Sequence, residues 1–320
     1  MTTQPIASAQ LSAQPGAVPT GRGQGRRRRS SLRWHNTLRG WSFIAPNFIG
    51  FAVLTLVPIV VLFYVALTKW GALGDPEWIG LDNFVKLFTR DPRFNTALWN
   101  TLYYTALHMP LTLAASLGLA VLLNQRIRGA AFFRTTAFFP YITSIVAIAM
   151  VWNLLFSPDY GPINQILRFF GVDNPPGWTV SSTWAMPAVI VVGTWREMGY
   201  YMLLFLAGLQ TVPRELYEAA RVDGAGAWSR FWHVTVPCLR PTTFFVTVML
   251  TIGSMKVFDL VFVMTEGGPG RSTLVISQLI WQQAFVEGDF GYASAIAVVL
   301  FAICLILTIF QFWVNRRVER

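Results

Sequence analysis

The chain has 320 residues, 54% of them hydrophobic and only 12% charged, about half the charged share of a soluble domain. Mean hydropathy is +0.47. The net charge of +10 is almost all arginine, since Lys69, Lys86 and Lys256 are the only lysines, and in so apolar a chain it points to loops facing anionic lipid rather than to nucleic acid.

Residues 1–35 are rich in Gln, Ser, Pro, Gly and Arg. They cannot bury a core and are expected to form a disordered, basic cytoplasmic tail. The run Arg26–Arg29 invites comparison with a twin-arginine export signal. The apolar stretch after it is too long for a signal core and no A-x-A-like site closes it, so a topological anchor is the better reading.

Residues 36–95 are expected to hold a first span and an outer loop, and residues 96–315 a transmembrane core. A membrane helix needs about 20 mostly apolar residues. Six segments qualify: 41–67, 97–123, 136–156, 184–209, 242–263 and 292–314. Pro46, Pro58 and Pro110 fall inside or at the ends of the early ones, where prolines often mark bends. Turn material lies at 157–162 (SPDYGP), 173–177 (DNPPG) and 266–270 (EGGPG).

Arginine placement sets the orientation. The amino tail, the second–third connection (Arg126, Arg128, Arg134), the fourth–fifth connection (Arg214, Arg221, Arg230, Arg240) and residues 316–320 carry most of it. The positive-inside bias puts both termini and the fourth–fifth connection in the cytoplasm of a multi-pass inner-membrane protein. Cys238 and Cys304 show no partner spacing and no metal pattern, so free thiols are expected.

The fourth–fifth connection, residues 213–237, is polar and punctuated. Pro213 suits the start of a helix, Glu218 and Arg221 are spaced to pair, and Gly224 is placed to stop the helix. A second short helix follows, with Trp228, Phe231 and Trp232 on one face and Ser229, Arg230 and His233 on the other. Pro237 and Pro241 close it. Such a hairpin either parks on lipid or docks a partner; the small pair Ala219-Ala220 favours close approach by a partner.

Intramembrane charges are costly and usually functional. Arg196 and Glu197 fall in the fourth span, Lys256 and Asp259 in the fifth. Two readings stay open: interhelical salt bridges (Glu197 with Lys256, or Arg196 with Asp259), or a polar pocket for a hydroxyl-rich solute with Trp195, Tyr200 and Tyr201 as aromatic walls. Ser144 in the third span is a further candidate. His108 reads as a hydrogen-bonded packing residue, and Tyr103 and Tyr104 as interface aromatics.

The spacing Glu218-Ala219-Ala220, Gly224, Val234, Val236, Pro237 resembles the cytoplasmic signature of ABC importer permeases, with valines where that family usually has isoleucine and leucine. WIGLDNF (78–84), FFRTTAFFPY (132–141), GPIN (161–164), LAGLQTVPRELYEAARVDGAGAW (206–228) and MTEGGPG (264–270) are similar to the carbohydrate-uptake branch, to its first permease subunit in particular. The resemblance covers roughly residues 41–315. It implies an all-α membrane protein with six transmembrane helices in the ABC importer type 1 transmembrane fold. It implies that Glu218, Ala219, Ala220, Asp223, Gly224, Val234 and Pro237 couple to a separate ATPase. Similarity to maltose-type permeases further implies solute contacts at Glu197, Tyr200, Ser254 and Val257.

None of the three lysines follows a glycine, so the chain has no phosphate-binding loop. It is not expected to be an enzyme or to bind a metal; ATP and Mg²⁺ belong on the partner. The expected partners are a second homologous permease, two ATPase subunits, an extracytoplasmic solute-binding protein, membrane lipid and a small carbohydrate, with no nucleic acid. The rival readings are an ion-coupled secondary transporter and a membrane scaffold or receptor that moves no solute.

Overall fold

A computed structural model describes residues 41–125 and 128–318. The amino tail, Arg126 and the last two residues of the carboxyl tail lie outside the described residues. The chain divides into two compact units, residues 1–59 and 60–320.

The first span is α1, Trp41–Ala66. Its turn Ala52–Leu56 is a π turn, closed by the Val57 N–H on the Ala52 carbonyl. In a regular helix the Pro58 ring would clash with the Leu54 carbonyl, and widening the turn before it relieves that clash.

In the second unit a two-residue ladder pairs β1 (Thr68–Lys69) with β2 (Glu77–Trp78). Helix α2 (Asp82–Thr89) and the long α3 (Pro92–Leu123) follow. Then come α4 (Ala130–Ile142), α5 (Ile145–Leu155), α6 (Pro162–Phe169) and α7 (Ala185–Gln210). The hairpin is α8 (Arg214–Val222) and α9 (Ala227–Cys238). Helices α10 (Arg240–Met255), α11 (Asp259–Thr265), α12 (Ile276–Trp281, continued by a π turn) and α13 (Phe290–Val318) complete the chain.

Helix α3 packs against α7 and α10; α4 packs on α7, and α13 on α10 and α12. Lipid is as apolar as leucine, so these contacts rest on close packing rather than on escape from water. Glycines allow it. A Cβ at Gly199 would run into the Ala137 carbonyl of α4, and one at Gly208 would meet Thr242 Oγ1 at 2.5 Å. Along the same stretch of α7, Met202, Phe205 and Leu206 join Leu250 of α10 in a buried cluster at the hairpin end of the bundle.

At the opposite end Asp91 caps α3, accepting from the Arg93 backbone N–H at 2.8 Å, with Pro92 in the first turn. Its other oxygen accepts from the Tyr292 hydroxyl at 2.8 Å, tying α3 to α13. The Asn100 side chain donates to the carbonyls of Arg271 and Leu274 at 3.0 and 2.9 Å and holds the loop before α12.

The expected third and fifth spans are both corrected. The 136–156 segment bends by 98° between α4 and α5, where Thr143 and Ser144 are non-helical. The 242–263 segment breaks after Met255: Lys256 to Phe258 leave the helix, and α11 restarts it at Asp259. At its start, α9 and α10 meet at 69°, so the second hairpin helix runs through Pro237 to Cys238 and ends there. Among the described residues, four helices are long and apolar enough to cross a membrane unbroken, and six spans result if each bent pair crosses once. Helices α2, α6 and α12 have no counterpart in the six apolar segments: they are short, and α2 and α6 are strongly amphipathic, so a long apolar window passes over them.

Candidate solute cavity and coupling hairpin

A polar cavity of about 180 Å³ opens among α3, α7 and the broken fifth span. Glu197, Ser254, Lys256, Val257 and Asp259, all singled out in the sequence, line it. So do Tyr104, His108, Arg196 and Phe258. Irregular backbone at membrane depth is tolerated where it is buried in protein or lines a cavity, and the break at 256–258 does the latter.

The ion pairs differ from those expected. Among the described residues none joins Glu197 to Lys256 or Arg196 to Asp259. Instead Arg196 Nη1 lies 3.7 Å from Glu197 Oε1, its neighbour on the same helix, and His108 Nε2 lies 3.8 Å from Glu197 Oε2. On the hairpin surface, likewise, no described ion pair joins Glu218 to Arg221.

Tyr104 corrects a second expectation. It is 2% exposed rather than at an interface, and its ring stacks on His108 with centroids 4.8 Å apart. His108 does make the hydrogen bond expected of a packing residue: Nδ1 meets Ser254 Oγ at 2.9 Å. It is also a cavity wall, which the sequence reading missed. The available signal was the i, i+4 spacing of Tyr104 and His108, which puts both on one face of α3.

Four candidates fall outside the cavity lining. Tyr201 is buried in the apolar cluster with Met202 and Phe205. Ser144 is exposed at the α4–α5 bend. Tyr200 stacks on Tyr141 at 4.5 Å. Trp195 packs edge-on against Trp152 at 5.4 Å and lines a larger cleft of about 640 Å³ in the crook of α4, α5 and α7. That cleft is walled by Phe133, Phe139, Val151 and Met198; it suits an apolar occupant better than a hydroxyl-rich one.

The hairpin is built as its sequence suggests. Gly224 has φ +77°. The Ala225 N–H bonds to the Ala220 carbonyl at 2.8 Å and the Gly224 N–H to the Arg221 carbonyl at 3.0 Å, the paired bonds of a Schellman motif. The hydroxyls of Tyr217 and Thr235 meet at 3.0 Å and tie α8 to α9. Trp228 contacts both Phe231 and Trp232. Glu218, Ala219, Asp223 and Gly224 are exposed, while Ala220, Val234 and Pro237 are half-buried.

The profile of binding-protein-dependent transport system inner membrane components matches residues 109–320. The chain belongs to this family. It is 37% identical over 296 residues to the probable ABC transporter permease YesP of Bacillus subtilis strain 168, covering 92% of this chain and 95% of that protein. It is 36% identical over 294 residues to the lactose transport system permease LacF of Rhizobium radiobacter, covering 90% and 97%. Among solved structures it is similar to a chain of a bacterial alginate ABC transporter in complex with an alginate pentasaccharide-bound periplasmic protein. That match has a TM-score of 0.78 at 25% identity and covers 90% of this chain and 98% of the other. The permease is thus a membrane-embedded transporter component with the type 1 importer fold, rather than an enzyme.

Proposed function

We propose that this permease is one membrane half of an ATP-driven importer that moves a sugar, oligosaccharide or polyol into the cell by alternating access. The observation that carries the proposal is the broken fifth span, whose non-helical residues 256–258 line a polar cavity together with Glu197 and Ser254. Broken helices of this kind are where transporters place solute.

The cavity, about 180 Å³, is smaller than the ~300–1,000 Å³ of ordinary small-molecule pockets. This supports a solute path shared with a second homologous permease. The hairpin 213–237 would dock a cytoplasmic ATPase, one of two, and pass its closure to α7 and α10, between which it is spliced. ATP and Mg²⁺ would bind that partner, and both termini would lie on the same cytoplasmic side. An extracytoplasmic solute-binding protein would deliver to the opposite end, whose rim carries Lys86, Arg90, Arg93 and Arg271. The names of the lactose and alginate relatives support a carbohydrate.

Uptake by proteoliposomes holding the complete complex tests this. With ATP and Mg²⁺ inside and binding protein outside, at least one of tritiated lactose, maltose, glycerol or an alginate disaccharide should accumulate, and collapsing the ion gradients should leave the rate unchanged. Accumulation that needs a gradient and not ATP would establish a secondary transporter instead.

A further inference from the structure

We propose that α9 lies in the headgroup layer of the membrane and that an anionic phospholipid seats its phosphate between α8, α9 and the end of the bundle, on Arg221 and Arg230. The proposal rests on the reading that the hairpin faces the cytoplasm, and it is independent of the solute carried.

A separate cavity of about 530 Å³ lies where the hairpin meets the bundle. Tyr217 and Arg221 of α8 line it, with Arg230 and Phe231 of α9 and with Asn124 and Gln125 just past the end of α3. Tyr217 and Arg221 are four apart and share the face of α8 turned to α9. Two full positive charges border this space and no carboxylate does. Among the described residues neither guanidinium makes an ion pair or a side-chain hydrogen bond. The carbonyls at the ends of α3 and α8 do not offset them, because they have donors of their own. That of Leu123 accepts from Arg134 at 2.8 Å, and those of Ala220 and Arg221 accept from Ala225 and Gly224. The forked N–H groups of arginine match a pair of phosphate oxygens, and the amides of Asn124 and Gln125 offer donors and acceptors to a headgroup.

The neighbouring surface makes the anion a lipid. Phe231 belongs to both sites: it lines the cavity, stacks on Trp228 at 5.9 Å and meets Trp232 at 5.2 Å. Trp228 and Trp232 are 72% and 49% exposed. Such rings collect where acyl chains meet headgroups. The chain path puts them there. Helix α9 ends at Cys238, and α10, which enters the membrane, starts at Arg240 after a turn of 69°. A helix joined so directly to a spanning one, and so steeply inclined to it, lies along the membrane surface. A free phosphate ester would fill the cavity and leave both tryptophans in water. A phospholipid covers the two together. Glu218, Ala219 and Asp223 remain exposed on α8, so lipid on α9 leaves them clear for a partner.

Native mass spectrometry of the complete detergent-solubilised complex reads lipid occupancy and ATPase retention together. The probes are phosphatidylglycerol, phosphatidylcholine with the same acyl chains, and glycerol phosphate. Wild type should hold phosphatidylglycerol in preference to phosphatidylcholine and should not hold glycerol phosphate at the same concentration, a comparison that needs no variant. Arg221→Gln and Arg230→Gln should each weaken phosphatidylglycerol binding about fivefold, and the two together about 30-fold, with the ATPase still attached. Trp228→Ser combined with Trp232→Ser should weaken it severalfold. Equal retention of the two lipids by wild type would overturn the proposal, as would phosphatidylglycerol binding unchanged in either double variant. Glycerol phosphate bound as tightly as the lipid would make this a site for soluble anions instead. Loss of the ATPase in the arginine double variant would assign both arginines to that subunit. None of these outcomes touches the reading of ATP-driven carbohydrate uptake, which the proteoliposome assay tests separately.

Discussion

Asp91 shows how much one side chain does at the end of the bundle away from the hairpin. It is 8% exposed. Burial alone would raise its pKa, but the Tyr292 hydroxyl, the Arg93 backbone N–H and the Arg93 charge outweigh burial and hold it below the ordinary 3.8. A carboxylate with a depressed folded-state pKa contributes stability that is complete above the unfolded value and is lost as pH falls through the folded one. The melting temperature of the purified complex should therefore drop as pH falls below about 4, and Asp91→Asn should flatten that part of the curve while lowering stability at neutral pH. An unchanged acid limb in the variant would mean that Asp91 does not hold α3 to α13. The Asp91-Pro92 pair is a local helix-start signal that the sequence reading, which opened the second span at residue 97, did not use. Tyr292 as its partner left no such signal, because the two stand 201 positions apart and only the tertiary fold joins them. The same holds for His108 and Ser254, which local sequence assigns to separate helices with no sign that they touch.

The elements whose form depends on local chemistry were the legible ones. The hairpin bends where Gly224 permits a positive φ, and its helices start and stop within a residue or two of the expected places. No atom lies within 4 Å of a Cβ added at Gly224, so conformation and not space decides what is tolerated there. Left-handed backbone costs an ordinary L-residue about 1–2 kcal/mol, and Asn less. Transport should survive Gly224→Asn at a substantial fraction of the wild-type rate and fall severalfold or more in Gly224→Val, at equal protein in the membrane. Equal rates for the two would show that the bend is not what the hairpin contributes. The breaks in the third and fifth spans were not legible. Hydropathy reports composition, and 136–156 and 242–263 are apolar enough to read as straight helices. The hint in the fifth was Lys256 and Asp259 three residues apart, a pair that lipid would not accept on a regular helix and that a cavity does.

At the scale of the whole molecule, six apolar segments and an arginine bias sufficed to read a multi-pass membrane protein, since each reflects a solvent constraint that acts along the sequence; placing it among importer permeases rested on the resemblance carried by the Glu218–Pro237 spacing and its companion stretches. The contacts that build the cavity come from α3, α7 and the segment after α10, and their convergence is a property of the fold. On the proposed reading, the transport cycle depends on an ATPase held by the hairpin. Affinity recovery of the tagged chain from detergent-solubilised membranes, wild type beside Gly224→Pro, followed by mass spectrometry, tests this most directly. Proline cannot take the φ of +77° and removes the N–H that Gly224 gives to Arg221. The account predicts that wild type brings down an ATPase subunit and a second permease, and that the variant, present in the membrane at the same level, loses the ATPase. An ATPase recovered equally with both chains, or with neither, would contradict it.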